Sequence, residues 1–239
     1  MKKISTENLV LELTRRCNMK CPHCLRGDCQ NYDMTFETAK TAIDRFEFIE
    51  QITFSGGEPT LCGDIVCKIV DYIIENNVKL YGFYMASNGL NVNMQIMIAL
   101  AKLYGYINQD YDAEETCFFD ISVDQYHEII SKLNKRVLDA FRFVNYRGEI
   151  PDGRLINEGR AYENGIGARY MNHKEEFNIL DEDYNGSDLY NLVYVNAKGN
   201  ITPCCDLSYK SQDSLPLVNI SEGEFNILAK RYNEMLCNK

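Results

Sequence analysis

Read for the spacing of apolar and polar positions, the chain alternates two periods. Leu9 to Leu13 is a short apolar run bounded by polar residues, as a first buried strand would be. From Phe36 to Glu50, apolar residues at Ala39, Ala42, Ile43, Phe46 and Ile49 fall on one helical stripe. Gln51 to Ser55 returns to a strand pattern. Asp64 is placed to cap a helix whose inward set is Ile65, Val66, Ile69, Val70, Ile73 and Ile74. The same alternation predicts a strand over Leu80 to Ala86, a helix over Asn93 to Tyr104, a strand over Phe118 to Val123 and a helix over Tyr126 to Leu133. Further strands are expected near Phe141 to Tyr146 and Arg154 to Ile156.

Strands separated by helices of this length imply right-handed βαβ units and a parallel sheet, with ligands at the carboxyl ends of the strands. The tail has a different rhythm. Leu192 to Val195 and Ile201 to Thr202 flank Asn-Ala-Lys-Gly-Asn, a hairpin signal, and a last helix is expected from about Gly223 to Cys237. The expected division is a core of residues 1–185 and a C-terminal extension of residues 186–239, with the boundary near Asn185 to Asp188.

Composition narrows the class. The 239 residues are 45% apolar, enough for a core and too many for a disordered chain. A net charge of −10 argues against a nucleic-acid partner, which would want a basic surface. No stretch approaches the ~18 apolar residues of a membrane span. Met1-Lys2-Lys3 is followed by polar residues, and Glu12 interrupts the first apolar run, so no secretory signal is read and the expected location is cytoplasmic. Ten cysteines in a reducing compartment then read as metal ligands or catalytic groups before disulfides.

Three of those thiols stand in Cys17-Asn-Met-Lys-Cys21-Pro-His-Cys24, directly after the first strand. That spacing lets one loop wrap a compact object. A zinc site would want a fourth ligand, for which His23 or Cys29 could serve. Three ligands on a four-iron cluster would leave one iron open to an amine and a carboxylate.

The arrangement resembles the radical S-adenosylmethionine (SAM) superfamily. The resemblance implies that Cys17, Cys21 and Cys24 hold a [4Fe-4S] cluster that binds SAM. Reductive cleavage then yields a 5′-deoxyadenosyl radical that takes a hydrogen atom from a substrate. It also implies an electron donor such as flavodoxin or ferredoxin. Ser55-Gly56-Gly57-Glu58-Pro59, ending the second strand, is similar to the family's GGEP motif, which meets the SAM amino group. Ser87-Asn88-Gly89 resembles a Thr-Asn-Gly turn whose hydroxyl and amide face SAM, although Asn-Gly is also an ordinary turn. On the fourth strand, alternation puts Asp120, Ser122 and Asp124 on one face. Ser122 and Asp124 match a Ser-x-Asp pattern near SAM or substrate, and Asp124 is the expected catalytic residue. Asp124 could equally cap the helix that follows, in which His127 reads first as a structural histidine. Arg160, in Gly159-Arg160-Ala161, is a candidate partner for the SAM carboxylate or a plain surface arginine. His23 stands where the family often has an aromatic residue, and could pack over adenine.

Gly199-x4-Cys204 followed by Cys205 resembles part of the auxiliary-cluster (SPASM/twitch-like) extension of peptide-modifying members. The upstream cysteine and the later CxxC of that extension are missing, so a full two-cluster extension is excluded. A single second iron–sulfur cluster would need a ligand from Cys29, Cys62 or Cys237. The expected architecture is α/β, a partial parallel (β/α)6-type barrel with a short hairpin-plus-helix extension. The expected protein is a radical SAM enzyme, with a peptide as the leading substrate class. Small-molecule-modifying or glycyl-radical-activating chemistry is the alternative, as is a non-catalytic iron–sulfur or zinc protein.

Overall fold

The computed structural model describes residues 4–151, 153–182 and 187–238. Eight strands form one open sheet in the order β5-β4-β3-β2-β1-β7-β6, with β8 also on β7. The parallel strands are β1 (Ile4–Thr14), β2 (Phe48–Gly56), β3 (Lys79–Ser87), β4 (Cys117–Ser122), β5 (Val144–Arg147) and β7 (Asp188–Val195), the last lying parallel to β1. β6 (Ile179–Glu182) and β8 (Ile201–Thr202) run antiparallel to β7. The helices are α1 (Phe36–Ile43), α2 (Gly63–Glu75), α3 (Met94–Ile107), α4 (Ala113–Thr116), α5 (Lys132–Leu138), α6 (Gly159–Glu163), α7 (Tyr209–Ser214) and α8 (Phe225–Cys237). This is the expected partial parallel barrel, left unclosed. The hairpin and terminal helix also stand where the pattern put them.

The two faces of the sheet explain the alternation. Leu9, Leu11, Leu13, Ile52, Phe54, Phe83, Met85, Phe119 and Ile121 are buried in the core with the apolar stripes of α1, α2 and α3. The opposite face carries Glu12, Thr53, Ser55, Tyr84, Asp120, Ser122 and Arg147, and much of it lines a cavity of about 770 Å³ at the carboxyl ends of the strands. A period-2 chain thus sends its hydrophobic half outward to the helices and its polar half inward.

Four local expectations fail for identifiable reasons. The first helix stops at Ile43, because Phe48 and Ile49 pair with Ser5 and Thr6 of β1; sheet registry outranks the helical stripe. Asp64 lies inside the first turn of α2 and the cap position falls on Cys62, with no side-chain cap bond. No helix runs from Tyr126 to Leu133. Asp124 takes the Tyr126 N–H at 2.9 Å and the His127 ring at 2.8 Å, closing a separate turn, and Ser131 then caps α5. Arg154 to Ile156 is not a sheet strand either, since Leu155 and Asn157 spend their backbone bonds on Ala168 and Arg169. The division expected near Asn185 to Asp188 falls partly outside the described residues; β7 begins at Asp188.

Candidate active site

The cysteine loop leaves β1 at Thr14 and crosses the mouth of the sheet. Cys17, Cys21 and Cys24 all line the cavity and are half-buried. Two glycines make their approach possible. A Cβ on Gly57 would lie 2.3 Å from the Arg16 carbonyl oxygen and 3.2 Å from the Cys17 Cβ. Gly159, at φ +53°, lies so close that a Cβ would meet the Leu25 carbonyl at 2.4 Å and the Cys24 carbonyl at 2.6 Å. The loop is therefore clamped between the β2 turn and the start of α6, with no room for any side chain at either point.

The thiols feel one another. Burial pushes the Cys21 thiol up to about 11, the charges of Cys24 and Cys17 add to this, and Arg160 opposes it. Burial likewise raises Cys17, against a hydrogen bond from the Met19 N–H. Thiols in this condition ionise readily only when a cation neutralises them, which is what a metal centre does. Among the described residues, His23, Asp124 and His127 are the set whose ligand atoms lie within 4.8 Å of one another. The three thiols are not drawn so close as a set. A single zinc ion, with Zn–S near 2.3 Å, would hold them within about 4 Å of each other. The donor set fits a larger centre, and the [4Fe-4S] cluster implied by the motif suits it.

Glu58 is buried, and its carboxylate organises the neighbouring strand ends. Oε1 accepts from the Thr60 N–H at 3.1 Å, the Thr60 hydroxyl at 2.6 Å and the Ser87 hydroxyl at 2.8 Å; Oε2 accepts from the Asn88 N–H at 2.9 Å. A carboxylate has about four acceptor sites, and Oε2 keeps capacity for one more donor, such as an ammonium group. Pro59 opens the short 3-10 turn that holds Thr60 in place. Asn88 continues the network by donating from Nδ2 to Asn18 in the cysteine loop at 2.8 Å.

The structure brings Gly56, Gly57, Glu58, Pro59, Ser87, Asn88, Ser122, Asp124, His23 and Arg160 to the same cavity as the three cysteines. Their contacts refine the reading. Arg160 turns to the loop itself, donating from Nε to the Cys21 carbonyl at 2.9 Å and from Nη1 to Asp28 at 3.2 Å. His23 stacks on Tyr126, ring centroids 4.6 Å apart, with Nδ1 buried and unpartnered. Burial, aided by His127 and opposed by Asp124, lowers its pKa. Cys204 and Cys205 lie behind the loop. Burial pushes them up to about 11 and about 12. Of the extra ligands a second cluster would call on, Cys62 Sγ contacts Leu13 and Asp33, Cys237 Sγ contacts Glu176, and Cys29 is exposed.

Sequence reasoning missed the buried frame behind the cysteine loop. Arg15 and Glu12 are both fully buried and paired at 2.7 Å. Glu12 also accepts from Tyr194, Gln212 and the Ala197 N–H. Arg26 donates to the Leu207 carbonyl at 2.7 Å and lies 5.1 Å over the Tyr194 ring. It missed Arg147 as well, which reaches into the cavity and donates to the Tyr84 hydroxyl at 3.1 Å beside Asp120. Glu12, a charge inside the apolar run of β1, was the available signal.

An open parallel sheet with a three-cysteine loop and a GGEP turn at one mouth defines a class of enzyme that works by radical chemistry. The Radical SAM superfamily profile matches residues 11–145, and the chain belongs to that superfamily. It is 42% identical over 73 residues to protein MJ0907 of Methanocaldococcus jannaschii, covering 29% of this chain and 26% of that protein. It is 31% identical over 97 residues to mycofactocin maturase MftC of Mycolicibacterium smegmatis, covering 39% of this chain and 24% of MftC. The matched stretch thus spans about a quarter of each relative's length. The solved structure of native anSMEcpe with bound AdoMet and Cp18Cys peptide superposes with a TM-score of 0.60 at 14% identity, over 96% of this chain and 81% of that one. At that identity the likeness speaks to the fold alone. Among the described residues, no helix is long and apolar enough to cross a membrane.

Proposed function

We propose that Cys17, Cys21 and Cys24 hold a [4Fe-4S] cluster and that the protein is a SAM-cleaving radical enzyme. The observation that carries this reading is the clamped thiol loop set against a pinned Glu58 at the mouth of the sheet. When bound, cluster and SAM supply a 5′-deoxyadenosyl radical that takes hydrogen from the substrate.

The chain's own groups do the rest. Glu58 Oε2 and the backbone at Gly56 and Gly57 receive the SAM amino group. Ser87 and Asn88 hold Glu58 in place, and Ser122, on the same cavity, would offer its hydroxyl to SAM or substrate. His23 offers its ring to adenine. Arg160 is tied to the Cys21 carbonyl, so its role is to hold the loop, and Arg147 is the cavity cation better placed for a carboxylate. Asp124 Oδ1 fixes His127 through Nδ1, which leaves the imidazole able to hold a substrate proton at Nε2.

The substrate class we favour is a peptide. Its support is the maturase named among the relatives and the C-terminal extension, which meets the cysteine loop where Arg26 bonds Leu207 and Tyr209. A small electron carrier, ferredoxin or flavodoxin, would supply the electron.

Anaerobic reconstitution with iron and sulfide, followed by SAM and dithionite, tests the reading. The expected product is 5′-deoxyadenosine, lost in Cys17→Ala, Cys21→Ala and Cys24→Ala. An intact cluster spectrum without that product would sink it.

A further inference from the structure

His23, Asp124 and His127 form a second group of metal-binding side chains on the cavity wall, distinct from the three thiols. One ligand atom from each lies within 4.8 Å of the others. His23 Nδ1 is buried with no hydrogen-bond partner, a condition native structures rarely leave unexplained. Asp124 is held in place: its side chain is 5% exposed, and Oδ1 accepts the Tyr126 N–H at 2.9 Å and meets His127 Nδ1 at 2.8 Å. The two imidazole rings stand edge to face at 72°, with centroids 5.1 Å apart. Zinc–nitrogen bonds are about 2.0–2.1 Å, so two imidazoles on one ion have ring centres about 5 Å apart and neighbouring donor atoms about 3 Å apart. The rings already have the first spacing, and Asp124 with His127 nearly the second.

We infer that His23, Asp124 and His127 bind one zinc ion beside the cysteine loop. Two imidazole nitrogens and one carboxylate oxygen are a donor set that zinc takes with a further position left open, and zinc holds nitrogen and oxygen donors more tightly than ferrous iron does. All three residues line the cavity, so the open position falls there, for a carbonyl or carboxylate oxygen of the substrate. The ion replaces the proton between His127 Nδ1 and Asp124, gives the His23 ring its missing partner and balances a buried carboxylate. His127 keeps Nε2 for a proton. A ring bound at its edge keeps its faces, so His23 still stacks on Tyr126. None of the three residues is a cluster ligand, so the site goes beyond the cluster reading without depending on it.

The test uses the full chain, reconstituted with iron and sulfide and then given one equivalent of zinc(II). X-ray absorption is recorded at the zinc edge, which does not see the cluster iron. Wild type is expected to show nitrogen and oxygen ligands at about 2.0–2.1 Å with imidazole scattering, and no sulfur shell near about 2.3 Å. The chain has three histidines, and the third, His173, pairs through Nε2 with Glu158 at 2.6 Å. His173→Gln is therefore expected to bind zinc as wild type does. Asp124→Asn, His127→Phe and His23→Phe, the last keeping an aromatic ring before Cys24, are each expected to weaken zinc binding by roughly tenfold or more at unchanged iron content. Zinc held by sulfur in wild type overturns the inference, a result that needs no variant to fold. So do Asp124, His23 and His127 variants that bind zinc as tightly as wild type. Iron content and the zinc shell are read separately, so failure of the cluster reading and failure of this site are told apart.

Discussion

Arg15 and Glu12, three residues apart where β1 gives way to the cysteine loop, form an ion pair at 2.7 Å with neither side chain exposed. Gln30 and Gln212 satisfy further guanidinium donors at 3.0 and 2.9 Å. The pair ties β1, β7 and α7 into one body directly behind the thiols.

Removing one member should therefore strand the other. Glu12→Gln or Arg15→Met is expected to destabilise the fold by about 3–5 kcal/mol. The double replacement should cost less than the two singles summed, because no buried charge is left. Urea unfolding of the three variants checks this, and simple additivity would show that the two groups act independently.

Gly57 separates site from scaffold. Gly57→Ala would force a methyl against the Arg16 carbonyl and the Cys17 Cβ, so the loop must shift and iron uptake should fall. At Gly105, in the exposed face of α3, a methyl would meet nothing within 4 Å. Gly105→Ala should leave iron uptake alone and add about 1 kcal/mol of stability. Iron analysis and thermal unfolding of both variants read the contrast.

Glu158 gives the extension a predictable acid limit. Burial raises its pKa, but hydrogen bonds from Ser208 and Ser211 and the charge of His173 outweigh this and hold it below the usual 4.5. The unfolded chain takes up this proton first. The stabilisation is therefore complete above about pH 4.5, where the unfolded carboxyl is ionised, and is lost as pH falls through the lowered folded value. Denaturant midpoints measured from pH 6 to 3 should drop more steeply for wild type than for Glu158→Gln. Parallel curves would count against the linkage.

Cys204 and Cys205 have a definite expectation too. Replacing both adjacent cysteines by alanine should leave the iron content at the wild-type value of about four per reconstituted chain. Wild type holding more than four irons and falling to about four on substitution would establish ligation by the pair.

Much of the site was legible because its residues are consecutive. Cys17 to Cys24 and Ser55 to Pro59 are short segments whose chemistry is carried by spacing, and the strand before each fixes which end of the sheet they occupy. What failed were places where local pattern met a long-range competitor. Ile49 fits the helical stripe but was taken, with Phe48, by β1, and Asp124 closed a separate turn by binding the Tyr126 N–H and the His127 ring instead of starting a helix.

The sequence by itself determined the alternation of strands and helices, the parallel sheet and the thiol loop at its mouth, since periodicity and adjacent motifs are local properties. Only the tertiary structure decided that β7 lies against β1 and that Tyr209, Gln212 and Tyr194 close over Glu12, Arg15 and Arg26. Nearly two hundred residues of chain separate Arg15 from Gln212, and no periodicity links them. Their contact follows from burial: charged groups carried into the core on β1 must find partners there, and the returning chain supplies them.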